Sequence, residues 1–150
     1  MTHYDFDTTA VVATLNRILE TELSGVVRYT HYSFMVFGPN RIPIVDWLRQ
    51  QAAESMVHSQ QVGELITHIG GKPSLAIGKL TTDYEYDTMN ILKESLQHEN
   101  LALSLYRELL ELVKDKSVLI EEFARTQISS EETHTGEIEK MIGPPHLALV

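Results

Sequence analysis

Four stretches of the chain place apolar residues at the spacing of one face of an α-helix. In the first stretch, which follows a helix-capping sequence at Asp7-Thr8-Thr9, apolar residues stand at positions 12, 15, 18, 19, 26, 29 and 36. The second stretch continues this spacing from position 45 to position 69. Gly38-Pro39-Asn40 and Gly70-Gly71 follow the two stretches and favour chain turns. We therefore predict helices over about residues 8–37 and 43–70.

The second half of the chain repeats this organisation after an interruption. Between positions 72 and 83, Pro73 and Gly78 break the helical spacing, and this segment is predicted to be a crossover. Two further apolar stripes predict helices over about residues 84–114 and 117–142, and a short tail follows them. No run of alternating apolar and polar residues indicates a strand. The pattern predicts one all-α domain over residues 1–150, in which two antiparallel helix hairpins are joined by a long crossover.

Composition narrows the class of protein without identifying it. The 150 residues include 12 basic and 21 acidic side chains, which give a formal net charge of −9. This charge disfavours a nucleic-acid partner and is compatible with attraction of cations. The chain has no cysteine, no apolar run that predicts a membrane span and no secretory signal pattern at Met1–Asp7. We expect a cytoplasmic protein.

Each of the four apolar stripes contains an ionisable residue near its middle. These residues are Glu22, His58, Glu99 and the pair Glu131 and His134. A buried carboxylate costs several kcal/mol unless it is paired or bound to a cation. Glu131 and His134 are three residues apart, so both side chains fall on one helix face. Because all four predicted helices carry an ionisable residue on the apolar face, the pattern predicts a metal site at the centre of the bundle.

Several segments resemble the bacterioferritins, which belong to the ferritin superfamily. Leu15-Asn16-Arg17-Ile18-Leu19-Glu20-Thr21-Glu22-Leu23 resembles the start of their first helix, and Glu99 corresponds to their third-helix glutamate. Ser55-Met56-Val57-His58 is similar to the Glu-Met-x-His sequence of their second helix. Glu131-Glu132-Thr133-His134 is similar to the Glu-x-x-His sequence of their fourth helix. The resemblance covers about residues 15–141 and implies a ferritin-like four-helix bundle.

The resemblance also implies a role for each candidate ligand. Glu22 and Glu99 would be terminal carboxylates, and Glu131 would bridge two iron ions. His58 and His134 would each give one ring nitrogen to one metal. Carboxylates and imidazoles from facing helices are the ligands that iron or manganese sites use in bundles.

The second helix departs from the family pattern at its carboxylate. The position of the family's bridging glutamate is occupied by Ser55, which carries no charge. Glu54 precedes it and lies about 100° away around a regular helix. Glu54 would join the metal ligands if the helix carried a one-residue bulge. Otherwise it would be solvated or would face another subunit, and the site would lose one bridge.

The end of the chain also departs from the pattern. Gly143-Pro144-Pro145 and the five residues after it leave no room for the family's short fifth helix, which lies around channels of a 24-subunit shell. We therefore expect a homo-oligomer with a dimer as its building block, and we do not expect a closed shell of 24 subunits.

Some residues outside the ligand set also have expected positions. Tyr29 and Tyr106 are predicted to be core rings with their hydroxyls near the buried acids. Trp47 is predicted to pack or to contact a second subunit. Four histidines are expected at the surface or at an interface: His31, His68, His98 and His146.

Two classes of function follow from these residues. The first is an iron-binding protein that oxidises Fe(II) with oxygen or peroxide, for iron storage or detoxification. The alternative is a haem-binding or structural assembly protein with a degenerate metal site, in which Met56 ligates haem as the corresponding family methionine does. A mini-ferritin that coats DNA is less favoured, because all ligand candidates lie within one chain and no basic tail is present.

Overall fold

The computed structural model describes residues 3–80 and 87–144, which form four α-helices and no strand. In chain order the helices are α1 (Thr8–Phe34), α2 (Arg41–His68), α3 (Thr88–Val113) and α4 (Val118–Ile142). Helix α1 packs on α2 and α3 packs on α4, and the two hairpins meet mainly through α1 and α3. This arrangement confirms the predicted all-α bundle. Within the described ranges, no helix is long and apolar enough to cross a membrane.

Three of the helices begin at a side-chain cap. The side chains of Asp7, Asp87 and Ser117 each accept a hydrogen bond from the backbone N–H three residues later, at 3.1, 2.9 and 3.2 Å. Such caps satisfy backbone donors that the first turn leaves free. Helix α3 therefore begins at Thr88, whereas the sequence predicted a start near position 84. Positions 84–86 lie outside the described residues.

The first two helices end earlier than predicted. Helix α1 ends at Phe34, and the guanidinium of Arg41 donates to the carbonyl of Val36 at 2.6 Å in the turn that follows. Helix α2 ends at His68, where Gly70 adopts φ 86° and the N–H of Gly71 donates to the carbonyl of Ile66 at 2.8 Å. A positive φ is readily accepted only by glycine, so this residue ends the helix.

The described part of the crossover lies along α1 and is held by polar contacts. The side chain of Asn16 donates to the carbonyl of Lys72 at 3.1 Å and accepts from the N–H of Ser74 at 2.8 Å. Further along, the N–H of Gly78 donates to the carbonyl of Glu20 at 2.8 Å. The crossover thus follows α1 toward the middle of the bundle.

Two apolar clusters fill the interior, one toward each end of the bundle. The first includes Ile18 and Leu19 of α1 with Ala102 and Leu105 of α3. The second includes Tyr29, Tyr32, Val36, Val45, Leu48, Ala52 and Ile91. Along α1 and α3, the residues between the two clusters include Glu22 and Glu99. The predicted ligands therefore lie near the middle of the bundle, where apolar packing shields them from solvent.

Candidate metal centre

Three glutamates occupy the interior between the two apolar clusters. Glu22 of α1, Glu99 of α3 and Glu131 of α4 are only 3%, 4% and 2% exposed. Each lies on the helix face that also carries the apolar core, as the stripe pattern predicted. Three carboxyl groups that lie together in a protein interior are unstable when all are ionised and unpaired. Protons or bound cations are needed to neutralise their charge.

The candidate ligand atoms form two groups that share one residue. In one group, a ligand atom from each of Glu22, His58 and Glu131 lies within 4.8 Å of the others. In the second group, the same limit joins Glu99, Glu131 and His134. The structure thus brings five of the six predicted ligands together. Glu131 belongs to both groups, as expected of a carboxylate that bridges two cations.

Hydrogen bonds from two tyrosines hold the outer glutamates. The hydroxyl of Tyr106 donates to Oε1 of Glu22 at 3.1 Å, and the hydroxyl of Tyr29 donates to Oε1 of Glu99. Both rings are fully buried, which confirms their predicted place beside the acids. Trp47 packs edge-on against Tyr29 with ring centroids 6.2 Å apart. These contacts fix the carboxylates without occupying all of their acceptor positions.

The electrostatics of the centre favour one shared proton between Glu99 and Glu131. Burial, the hydrogen bond with Glu99 and the negative charge nearby raise the pKa of Glu131 to about 12. Burial also acts to raise the pKa of Glu99, but the hydrogen bond from Glu131 and the nearby His98 bring this pKa below its ordinary value. Glu131 therefore holds the proton and donates to Glu99, since two carboxylates in contact do not both ionise.

Glu22 and His58 form a second coupled pair. His58 Nδ1 lies 3.4 Å from Oε2 of Glu22. Burial raises the pKa of Glu22, although His58 partly offsets this effect. Burial lowers the pKa of His58, but the hydrogen bond and the charge of Glu22 outweigh it, so that the pKa lies above its ordinary value. When protonated, this imidazole stabilises the carboxylate of Glu22.

Two polar atoms of the centre have no partner of their own. Oε2 of Glu131 and Nδ1 of His134 are buried and accept no hydrogen bond within the described structure. A buried polar atom without a partner costs about 1–3 kcal/mol. Both atoms belong to the second ligand group, and carboxylate oxygen with imidazole nitrogen is a donor set that suits iron, manganese or zinc. The residues therefore fit a divalent metal.

The second helix differs from the expectation that a bulge turns Glu54 inward. Helix α2 is a continuous α-helix from Arg41 to His68, so the bulge is absent. Glu54 belongs to neither ligand group, and its side chain is 48% exposed. It nevertheless reaches the edge of the centre, where its Oε2 lies 3.1 Å from Nε2 of His134. Glu54 is neither an isolated solvated residue nor part of the two groups.

The residue at the position of the missing carboxylate, Ser55, lies close to helix α1. Ser55 is buried against Gly25 of α1, together with His98 of α3. A Cβ atom at Gly25 would lie 2.8 Å from both Ser55 Oγ and His98 Nε2. The glycine allows α2 and α3 to approach α1 closely at this level, beside the candidate metal ligands.

His98 was expected at the surface or at an interface, and this prediction is wrong. The residue is buried, and its ring contacts the edge of Tyr29 with centroids 5.8 Å apart. Burial lowers its pKa, although the negative charge of Glu99 partly offsets this effect. The helical spacing could have indicated that His98 is buried, because this residue is three positions after the buried Ser95 and four before the buried Ala102.

Met56 lies on the outer side of helix α2. Its side chain is 41% exposed, and its sulfur lies 3.7 Å from the hydroxyl oxygen of Ser59. The methionine therefore does not contribute to the interior of the bundle. It faces a surface on which a second molecule can contact it.

Comparison with known proteins gives both a family and a fold. The sequence model of the Ferritin family, described as a ferritin-like domain, matches residues 12–144. No curated protein sequence matches the chain.

Three solved structures show the extent of the structural similarity. A ferritin-like diiron-carboxylate protein from Bacillus anthracis is 21% identical with a TM-score of 0.83, over 95% of this chain and 100% of that one. A dodecameric thioferritin from Bacteroides fragilis is also 21% identical with a TM-score of 0.83, over 90% of this chain and 85% of that one. The bacterioferritin of Rhodobacter capsulatus, described with a metal-free dinuclear site and a heme iron, is 22% identical with a TM-score of 0.75, over 89% and 84% of the chains. At these identities the likeness establishes the fold.

Proposed function

The chain belongs to the ferritin family of ferritin-like domains, and we propose that the centre of its bundle binds iron and oxidises Fe(II) within one subunit. The observation that carries this proposal is the sharing of Glu131 between two ligand groups contributed by all four helices. Two groups that share one carboxylate suit two cations at a short separation. The ferritin-like diiron-carboxylate protein of Bacillus anthracis has the same fold.

The proposed roles of the residues follow from their geometry. Glu22 and His58 would hold one Fe(II), Glu99 and His134 would hold the other, and Glu131 would bind both. When both ions are bound, each gives one electron to dioxygen, which is reduced to hydrogen peroxide with uptake of two protons; peroxide as oxidant is reduced to water instead. Carboxylates stabilise the additional charge of Fe(III), so the product is favoured over the substrate at this centre.

Metal binding releases one proton from the protein. Glu131 must lose the proton that it shares with Glu99 before both oxygens are available to metal. Tyr29 and Tyr106 retain their hydroxyl protons, because burial and the neighbouring acids raise the pKa of each well above its ordinary value. They therefore orient Glu99 and Glu22 as donors throughout. We propose a cytoplasmic homo-oligomer, built from dimers, that serves iron storage or detoxification.

Iron(II) titration under air tests the proposal. Near-ultraviolet absorbance is expected to rise faster than in buffer alone, and Glu131→Ala is expected to abolish the difference because it removes the shared ligand. Glu132→Ala is the matched control, since Glu132 is the adjacent residue and pairs with Arg107 on the surface at 3.1 Å. Oxidation no faster than in buffer, together with no bound metal by elemental analysis, would overturn the proposal.

A haem-binding function is the second candidate, and the exposure of Met56 supports it. In this alternative, Met56 would ligate haem between two copies of the chain. Protein purified with haem is expected to show a Soret band, and Met56→Leu is expected to remove it. If no Soret band stays with the protein after incubation with hemin and removal of free hemin, this candidate is ruled out and the iron proposal is unaffected.

A further inference from the structure

The two ring nitrogens of His134 face different surroundings. Nε2 lies 3.1 Å from Oε2 of Glu54, at the partly exposed edge of the centre. Nδ1 is buried without a hydrogen-bond partner and lies 3.9 Å from Oε2 of Glu131. One nitrogen therefore faces a carboxylate outside the ligand groups, and the other faces the interior of the centre.

Because a neutral imidazole has two tautomers, the surroundings of the two nitrogens determine which tautomer His134 favours. A neutral ring carries hydrogen on one nitrogen and a lone pair on the other. A carboxylate only accepts hydrogen bonds, so Glu54 favours hydrogen on Nε2. The lone pair then lies on Nδ1, directed at the shared Glu131, where a metal ligand is required. Carboxylates that accept from the outer nitrogen of a histidine commonly orient metal-binding rings in this way.

We infer that Glu54 is a positioning residue, which fixes the tautomer and orientation of His134 without binding the metal itself. This inference rests on the proposed function, because His134 is one of the ligands proposed there. It accounts for the contact between Glu54 and His134 in a regular helix without a bulge. Helix α2 thus contributes a carboxylate to the centre through His134, although Ser55 occupies the position of the family's glutamate.

The two proposed metal positions differ in whether a carboxylate contacts the outer nitrogen of the histidine. His58 has its Nδ1 against Glu22 at 3.4 Å, and among the described residues this is its only ion pair. No second carboxylate contacts its outer nitrogen within the described ranges, whereas the outer nitrogen of His134 has Glu54. Removal of Glu54 should therefore weaken the metal-binding step that uses His134 more than the step that uses His58.

Zinc titration by calorimetry tests the inference on the full chain without redox chemistry. Glu54→Ala is expected to weaken one binding step by about 10- to 100-fold, the usual effect of losing such a carboxylate. Glu54→Gln is expected to bind zinc nearly as the wild type does, because its amide oxygen still accepts from Nε2. Glu64→Ala is the matched control, since Glu64 is an exposed carboxylate on the same helix.

A second readout distinguishes an orienting role from direct ligation. Nitrogen-15 spectra of histidine-labelled, metal-free protein at about pH 8.5, where imidazole is ordinarily neutral, report which nitrogen carries hydrogen. The resonances of His134 are assigned with His134→Gln. We expect hydrogen on Nε2 in the wild type and in Glu54→Gln, and a changed tautomer distribution in Glu54→Ala.

Several outcomes would overturn the inference. If Glu54→Gln loses zinc as Glu54→Ala does, Glu54 is a direct ligand whose charge is needed. If Glu54→Ala binds zinc as Glu64→Ala does, or if the wild type carries hydrogen on Nδ1, Glu54 does not position the ring. If the wild type binds neither zinc nor iron, the proposed function fails, while the spectra of the metal-free protein still decide the role of Glu54.

Discussion

Glu131 is the residue at which folding and metal binding make opposite demands. In the metal-free protein it holds a proton and donates to Glu99, because burial and its negative neighbours raise its pKa to about 12. In the proposed metal-bound protein it must be ionised, so that both of its oxygens are available to metal. The buried acid that would bind metal therefore lowers the stability of the fold when no metal is bound.

We predict that Glu131→Gln stabilises the metal-free protein and abolishes metal binding. The amide donates to Glu99 as the protonated acid does, but it carries no proton to lose. The unfolded glutamate releases its proton above about pH 4.3, whereas the folded one retains it. The stability contributed by this proton is thus fully present below that pH and is lost as pH rises toward the folded pKa.

The measurement is thermal unfolding in the presence of a chelator at several pH values. The variant and the wild type should be similar near pH 5, and the advantage of the variant should grow toward pH 8 by up to ~1.4 kcal/mol per pH unit. Glu132→Gln serves as the control, because that side chain lies on the surface. A variant that is less stable than the wild type at pH 8 would contradict the assigned proton.

At the scale of the element, the close packing of residues from α2 and α3 on α1 accounts for a glycine within this helix. Gly25 lies three residues after Glu22 and allows Ser55 and His98 to approach the helix backbone. A helix interior ordinarily disfavours glycine by about 1 kcal/mol relative to alanine. The close approach therefore provides the physical reason for glycine at this position.

We predict that Gly25→Ala destabilises the protein, whereas Gly63→Ala stabilises it. A Cβ at Gly25 would lie 2.8 Å from both Ser55 Oγ and His98 Nε2, and the ring is buried. Overpacking of this kind costs roughly 1–3 kcal/mol, which exceeds the gain in helix propensity. At Gly63, also helical, a Cβ would meet nothing within 4 Å, so only the gain of up to ~1 kcal/mol remains.

Chemical denaturation of the two variants measures the difference. The midpoint should fall for Gly25→Ala and rise for Gly63→Ala, with the slope of the transition unchanged. Equal effects in the two variants would show that helix propensity alone decides, and that the contact of Gly25 with Ser55 and His98 contributes nothing.

At the scale of the whole molecule, the centre lies between two apolar clusters, and its candidate ligands come from all four helices. A metal bound there would link both hairpins at once. Because the unfolded chain separates these ligands, binding stabilises the folded state alone.

We therefore predict that zinc raises the melting temperature of the wild type. At a free concentration of about 100 times the dissociation constant, binding contributes ~2.7 kcal/mol. For a chain of this size that corresponds to a shift of roughly 5–10 °C. Differential scanning calorimetry measures the shift, and Glu99→Ala should lose most of it. A shift of the same size in Glu99→Ala would place the bound zinc elsewhere on this acidic protein.

Most of the helical architecture and of the candidate ligand set could be predicted from the sequence. Apolar spacing determines which face of each helix is buried, and an acid on that face, such as Glu22 or Glu99, is recognisable without a structure. Local stop and cap residues set the helix bounds to within a few residues, because they act on neighbouring backbone groups. The expected positions of Tyr29 and Tyr106 followed from the same periodicity.

What only the tertiary structure decided are the contacts between helices. Periodicity does not determine how far one helix slides or rotates against the next, and these two quantities decide which side chains meet. They bring Glu131 into both ligand groups, direct Glu54 to the outer nitrogen of His134 and bury His98 against Gly25. The sequence by itself thus determined the four helices and the acids inside them, whereas the packing of the helices decided which of these residues act together.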